Sequence, residues 1–146
     1  MTRALSAQNV AARINEEHPG AATGFDDGYV HVELDSLVDT MRFLKETSDL
    51  DFAFLNAITG VDYVEYFELI YHLLSLRHNH SVALKTRCYG RDEPTAPSLT
   101  PLWQGAELQE REIWDLLGVR FEGHPNMKRI LLWEGFPGHP LRRDFV

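Results

Sequence analysis

FAFLNAITGVDYVEYFELIYHLLSLRHNHSVALKTRCY, residues 52–89, is the stretch on which the fold turns. Phe52–Val61 is nearly all apolar, as a central strand covered on both faces requires. Tyr66–Leu76 is apolar on both faces through its middle. Ser81–Tyr89 alternates, with Val82, Leu84, Thr86 and Cys88 on one face and Ala83, Lys85, Arg87 and Tyr89 on the other. The link Arg77-His78-Asn79-His80 is short enough only for a hairpin, so the last two strands pair antiparallel.

Upstream, Ala7, Val10, Ala11 and Ile14 recur at helical spacing. Ser6 is placed to cap this first helix, and Pro19-Gly20 to end it. Asp27-Gly28 marks a turn between two short strands, the second with Val30, Val32 and Leu34 on one face. Asp35 or Ser36 then caps a second helix with Leu37, Met41 and Leu44 inward. Downstream, Gly90–Ser98 reads as a charged loop, and Thr100-Pro101 as an N-cap followed by a first-turn proline. Ala106–Leu117 reads as a third helix stopped by Gly118. The expected fold is α+β in two layers: a mixed, mostly antiparallel sheet of about five strands with helices on one face. Residues 1–119 form that domain, and 120–146 an extended C-terminal docking tail packed on the domain and on a partner.

Of 146 residues, 44% are hydrophobic and 25% charged, as in an ordinary globular domain. No apolar run approaches the ~18 residues that a spanning helix needs. The first twenty residues lack the continuous apolar centre of a secretory signal, so a non-secreted protein without direct membrane insertion is expected. One cysteine, Cys88, excludes an internal disulfide and an iron–sulfur cluster held by this chain alone. A net charge of −8 argues against nucleic-acid binding. The charge is uneven: residues 1–119 hold 9 basic and 19 acidic side chains, residues 120–146 hold 5 and 3. A basic end on an acidic body suggests that the end meets something the body does not.

Glu107, Arg111 and Asp115 stand four apart on the third helix, so Arg111 can pair on both sides. Glu110 instead shares a face with Ile113, Trp114 and Leu117, and a buried carboxylate needs a partner or protonates. Two Gly-His-Pro corners follow, Gly123-His124-Pro125 and Gly138-His139-Pro140, each trailed by a basic pair: Lys128-Arg129 and Arg142-Arg143. Zinc ligation by His124 and His139 fits no usual spacing. Acid–base chemistry with Glu110 or Glu112 has no nucleophile or phosphate loop beside it. Structural hydrogen bonding at a corner or interface is the simpler reading. His72, His78 and His80 read as surface or core-edge histidines. Trp103, Trp114 and Trp133 read as packing anchors, and Cys88 as a small buried hydrophobe.

The run EREIWDLLGVRFEGHPNMKRIL, residues 110–131, resembles the signature of the 30 kDa (C) subunit family of respiratory complex I. The loop RDEPTAPS at 91–98 and the closing GHPLRRDF at 138–145 are similar to other elements of that family. Met127 departs from the leucine common there, and family members commonly run on past the final Asp-Phe, where this sequence ends at Val146. The resemblance implies a non-catalytic structural subunit in the peripheral arm of a proton-pumping NADH:quinone oxidoreductase. It would lie on the cytoplasmic side of the cell membrane, beside the large quinone-site subunit and neighbouring iron–sulfur subunits. NADH or another donor, flavin, iron–sulfur clusters and quinone would be bound by those partners, with no cofactor, metal or catalytic residue in this chain. The expected interface with other subunits is Glu110, Arg111, Glu112, Asp115, His124, Pro125, Lys128, Arg129, His139, Pro140, Arg142, Arg143 and Asp144. Two alternatives keep the family but change the machine: a ferredoxin-linked complex or a membrane-bound hydrogenase. Others change the class: a stand-alone acid–base or metal enzyme using Glu110, Glu112, His124 and His139, or a free-standing adaptor.

Overall fold

The long apolar runs of residues 52–89 become three strands: β4 (Phe54–Asp62), β5 (Phe67–Ser75) and β6 (His80–Cys88). A computed structural model describes residues 2–133 and 135–143. Before these strands come β1 (Arg3–Ala4), helix α1 (Ala7–Glu17), β2 (Ala22–Asp26) and β3 (Tyr29–Val32). A 3-10 turn at Leu34–Ser36 then leads into α2 (Leu37–Glu46). After them come β7 (Thr95–Pro97), α3 (Ala106–Leu117) and β8 (Arg120–Glu122). The main sheet has the order β2-β3-β6-β5-β4 with β1 beside β6, six strands among the described residues. β3 and β1 run parallel to β6, and the other pairs are antiparallel.

Register decides which side is the core. Gly60 pairs with Leu69, Leu69 with Thr86, Ile58 with Tyr71, Tyr71 with Leu84, and Leu84 with Val30. These residues therefore share one face, as period-two side-chain alternation requires. Tyr71, Leu69, Leu84 and Val30 are fully buried there, in one cluster with Val10 and Ile14 of α1, Leu37, Met41 and Leu44 of α2, and Ile113 and Leu117 of α3. Each such aliphatic or aromatic side chain contributes about 1.5–3 kcal/mol by leaving water. The opposite face, with Ile70, His72, Leu74, Ala83 and Lys85, is only half-buried.

Two devices fix α3 on the sheet. A register shift between Leu55 and Ala57 interrupts β4. Just past it, the Gln109 side-chain oxygen accepts the Ile58 N–H at 2.7 Å, satisfying an edge-strand donor from the helix. Gly60 provides the close approach: a Cβ there would stand 2.6 Å from Leu117 Cδ1 and 3.3 Å from Ile113 Cγ2.

The structure departs from the sequence expectation in four places. The run 52–61, read as a central strand covered on both faces, becomes β4 at the edge of the sheet, with Phe54, Asn56 and Thr59 exposed. Gly90–Ser98 is not all loop, and residue 120 does not begin an extended tail. β7 and β8 pair in parallel, so the domain continues through Glu122, and the Ser98 N–H extends the ladder to Glu122 O at 2.8 Å. Strands of three residues carry too little periodicity to read. Thr100-Pro101 does not start α3; the helix begins after Gly105 without a side-chain cap. The Thr100 hydroxyl instead bonds that of Ser98 at 2.9 Å. The 3-10 turn precedes α2, and Ser36 makes no capping bond. Ser6 does cap α1, accepting from Asn9 N at 3.3 Å.

Gly60→Ala is expected to lower stability by about 1–3 kcal/mol through overpacking. Leu117→Ala frees the space that the new methyl needs, so the double variant should lose less than the sum of the two single losses. Urea unfolding of the four proteins measures both effects.

Candidate functional site

α3 ends in the left-handed Gly118, φ 79°. The last four carbonyls of a helix have no partner inside it and carry the negative end of its dipole. The C-terminal segment supplies those partners. Asp115 O accepts from Arg129 Nη1 and His139 Nδ1, both at 3.0 Å. Leu116 O accepts the Leu141 N–H at 2.9 Å, and Leu117 O accepts Arg142 Nε at 2.5 Å. Arg142 Nη1 also donates to Arg91 O at 2.9 Å. The basic residues of the tail thus form a cap on the helix that precedes them.

Asp115 is the centre of this cap. Its carboxylate is fully buried, accepts Arg129 Nη1 at 2.7 Å on one oxygen, and accepts the N–H groups of Ile130, Leu131 and Leu132 at 3.2, 2.7 and 2.9 Å on the other. Burial alone pushes this carboxyl up. The Leu132 N–H, Arg129 and the N–H groups of Leu131 and Ile130 outweigh that and hold it below the usual carboxylate range. Arg129 Nη2 reaches on to Phe136 O and Gly138 O, at 2.9 and 2.8 Å. Arg111 donates to Lys128 O and Arg129 O, each at 3.0 Å, and lies 3.6 Å from the Glu107 carboxylate.

The two histidine corners are structural. His124 Nε2 bonds Glu107 O at 2.8 Å while its Nδ1 accepts the Asn126 N–H at 2.9 Å, which places the ring proton on Nε2. His139 packs against Trp114 with ring centroids 4.9 Å apart. Burial, with Arg129 and Arg142 nearby, pushes its imidazole down despite the Asp115 carbonyl.

Glu110, one turn back, is also fully buried, but its carboxylate faces Ser98 Oγ at 2.6 Å and Leu99 N at 2.8 Å rather than a cation. Burial pushes its carboxyl up to about 7; the Leu99 N–H and the Ser98 hydroxyl oppose the shift, and Glu107 adds to it.

The expected interface residues therefore divide. Glu110 and Asp115 point inward and bond within the chain, out of a partner's reach in this conformation. Arg111, His124, Arg129, His139, Pro140 and Arg142 are half-buried, and all but Pro140 have a side-chain hydrogen bond within the chain. Glu112, Pro125, Lys128 and Arg143 are exposed. Asp144 lies outside the described residues. Glu110, Glu112, His124 and His139 do not converge, since Glu110 faces Ser98 and Glu112 faces solvent while the histidines bond different carbonyls. Among the described residues, no group of three or more His, Cys, Asp or Glu is arranged for a metal ion.

One pair escaped sequence reasoning. Arg91 binds the buried Asp62 through both Nη atoms, at 2.7 and 2.8 Å, and Asp62 also accepts the Arg143 N–H at 2.9 Å. Arg91 foremost, with the Arg143 and Val64 N–H groups, holds the Asp62 carboxyl well below the usual range against its burial. Asp62 and Arg91 stand 29 residues apart, so no local spacing links them.

This architecture has relatives. The family model described as "Respiratory-chain NADH dehydrogenase, 30 Kd subunit" matches residues 30–146. The chain belongs to this family. The C subunit of the NADH-quinone oxidoreductase of Roseiflexus castenholzii is 43% identical over 97% of this chain and 84% of its own. The C 2 subunit of the same enzyme from Rhizobium meliloti is 45% identical over 88% of this chain and 70% of its own. A chain from the membrane-bound sulfane sulfur reductase, an archaeal respiratory membrane complex, superposes with a TM-score of 0.77 at 29% identity, over 95% of this chain and 85% of that one. This chain is accordingly a component of a multisubunit respiratory oxidoreductase complex, and no helix among the described residues is long and apolar enough to cross a membrane.

Asp115→Asn is expected to cost about 3 kcal/mol, because Arg129 loses its charge partner in a largely buried site. Limited proteolysis should then cut within 130–138 faster than in the parent protein. Glu110 makes stability depend on pH. Its folded-state value lies above the ordinary 4.5, so its contribution is complete below that pH and disappears as pH rises through about 7. The linkage amounts to about 3 kcal/mol. Chemical denaturation at pH 5 and pH 8 should show this loss in the parent protein and little of it in Glu110→Gln.

Proposed function

We propose that this chain is a non-catalytic structural subunit in the peripheral arm of a proton-pumping NADH:quinone oxidoreductase, attached beside the large quinone-site subunit by its C-terminal segment. The observation that carries the reading is how that segment is finished. The Arg129 and Arg142 guanidiniums and the His124 and His139 imidazoles bond the chain itself, while Leu131, Trp133 and Leu141 are each about 60% exposed on the same segment. Lys128 and Arg143, close to them in sequence, are exposed too. Large apolar side chains held outward on a rigid base, with charge at the rim, have the composition of a protein interface centre. Leu141 also stands at a cleft of about 240 Å³ between α3 and β4, with Ile58, Gly60, Glu112 and Leu116.

On this reading the partners are the quinone-site subunit and neighbouring iron–sulfur subunits, on the cytoplasmic side of the cell membrane. The donor, flavin, clusters and quinone belong to those partners. A single cysteine, buried and bonded through Sγ to Thr95 O at 3.3 Å, supports leaving the redox groups to them. The likeness to a chain of the sulfane sulfur reductase complex favours a second reading, the equivalent subunit of a related machine. The higher identity to quinone oxidoreductase subunits supports the first reading more strongly.

The test is the double variant Leu131→Ser/Trp133→Ser, with the complex isolated through a tag on this chain. Both side chains are exposed, so the free variant should keep its unfolding midpoint within about 0.5 kcal/mol of stability. The co-purifying subunits should be largely lost. Full retention of every subunit, or a wild-type chain that purifies alone, overturns the proposal; the subunits recovered with the wild type decide between the two machines.

A further inference from the structure

The turn between β4 and β5 carries a backbone conformation that its residue disfavours. Val64 has φ 72°, in the left-handed region, where a β-branched side chain is least tolerated. The surroundings impose it. The Val64 N–H donates to Asp62 Oδ1 at 2.7 Å, and its carbonyl accepts Arg91 Nη1 at 3.0 Å. Glycine or asparagine would meet the same bonds without the steric cost. What valine adds is its side chain, which is 50% exposed and so does little for the core. Strain held in place by a buried ion pair, to present an apolar group to solvent, points to a contact outside this chain.

The neighbourhood supports a contact surface. The Tyr63 and Tyr66 rings lie 5.4 Å apart, and those of Tyr66 and Tyr89 5.7 Å apart. The Arg87 guanidinium sits 4.4 Å from the centre of the Tyr66 ring. Tyr63 and Tyr89 remain 45% and 64% exposed. Mutually packed tyrosines form a stiff platform that loses little entropy on binding. Glu65 in the turn, and Asp92 and Glu93 next to Arg91, are exposed carboxylates, three against the two exposed cations of this region, Arg87 and Arg143. An acidic rim repels an anionic lipid surface. It also opposes a second copy of this chain, since a two-fold contact would set carboxylates against carboxylates.

We propose that the β4–β5 turn, with Tyr63, Val64, Tyr66 and Tyr89, is a second docking surface that receives an aliphatic side chain flanked by Lys or Arg on a neighbouring protein of the assembly. It rests on the reading of this chain as a subunit of a larger complex, but uses none of the outward residues of the tail. Asp62 joins the two regions, since it holds Val64 on one side and the Arg143 N–H on the other.

The experiment uses the intact complex isolated through a tag on this chain, with Val64→Asn and, separately, Tyr63 replaced by a photoreactive phenylalanine analogue. Asparagine tolerates the left-handed conformation, so the free variant should unfold at the same temperature or higher. The complex should lose the variant chain about tenfold faster, and the photoreactive group should link to an aliphatic residue beside Lys or Arg on another subunit. Unchanged retention of Val64→Asn overturns the inference while the proposed function stands. A lower unfolding temperature of the free variant overturns it too, because Val64 would then serve folding. So would cross-links only to this chain, a second copy or lipid. If the wild-type chain brings no other protein with it, both readings fall together.

Discussion

The carboxylate of Asp115 governs how the last quarter of the chain lies. A buried carboxylate costs several kcal/mol in desolvation, and the end of α3 adds carbonyls with no helical partner. Neither is tolerable without donors, and the segment from Lys128 to Arg142 brings them. Arg129 gives charge to the carboxylate and a bond to the Asp115 carbonyl, while three consecutive backbone N–H groups fill the other oxygen. The dependence is mutual, because the guanidiniums of Arg129 and Arg142 are themselves half-buried. Helix end and tail are therefore one folding unit in electrostatic terms, although they look like domain and appendage along the sequence.

Glu110 and Asp115 show how environment divides two carboxylates of one helix. Both are fully buried. Asp115 meets a cation and three amides, and its charge is retained. Glu110 meets one hydroxyl and one amide, and its value rises to about 7. The second site therefore stays neutral up to about pH 7, far above an ordinary carboxyl, and its bonds to Ser98 and Leu99 serve mainly to hold the segment before α3 against the helix. Counting donors, rather than counting buried acids, predicts which of the two is ionised.

Much of this fold was legible in the sequence, and the parts that were not share a physical cause. The alternation of residues 81–89, the apolar run before it and the helical spacing of Val10, Ile14, Met41 and Leu44 reported the sheet and its covered face, because burial imposes those periods. Three-residue β7 and β8 carried no period, and their pairing is a long-range event. At the site, the clustering of Glu110 with Ile113 and Leu117 announced a buried acid. Asp115 looked like a surface partner for Arg111, since spacing alone cannot show that a later segment folds over it. The Asp62–Arg91 pair left no local trace at all. The basic pairs after the Gly-His-Pro corners read as arms reaching for another protein. The structure places Arg129 and Arg142 on carbonyls of their own chain instead, because the negative end of α3 is the nearest unsatisfied acceptor.

That reassignment changes where affinity for a neighbour can come from. Guanidiniums already engaged at home cannot also supply the main attraction across an interface without losing those bonds, so they act as scaffold. On the proposed reading, what they scaffold is the exposed Leu131 and Leu141, whose N–H groups bond the last turn of α3, and the exposed Trp133 between them in sequence. A segment ordered before it meets its partner has already met much of the entropic cost that a flexible arm would incur on binding. In the proposed interface the exposed charges Lys128 and Arg143 would act mainly on orientation and encounter rate. If the segment docks as proposed, the polar network shapes the surface, and the apolar side chains it presents supply most of the binding.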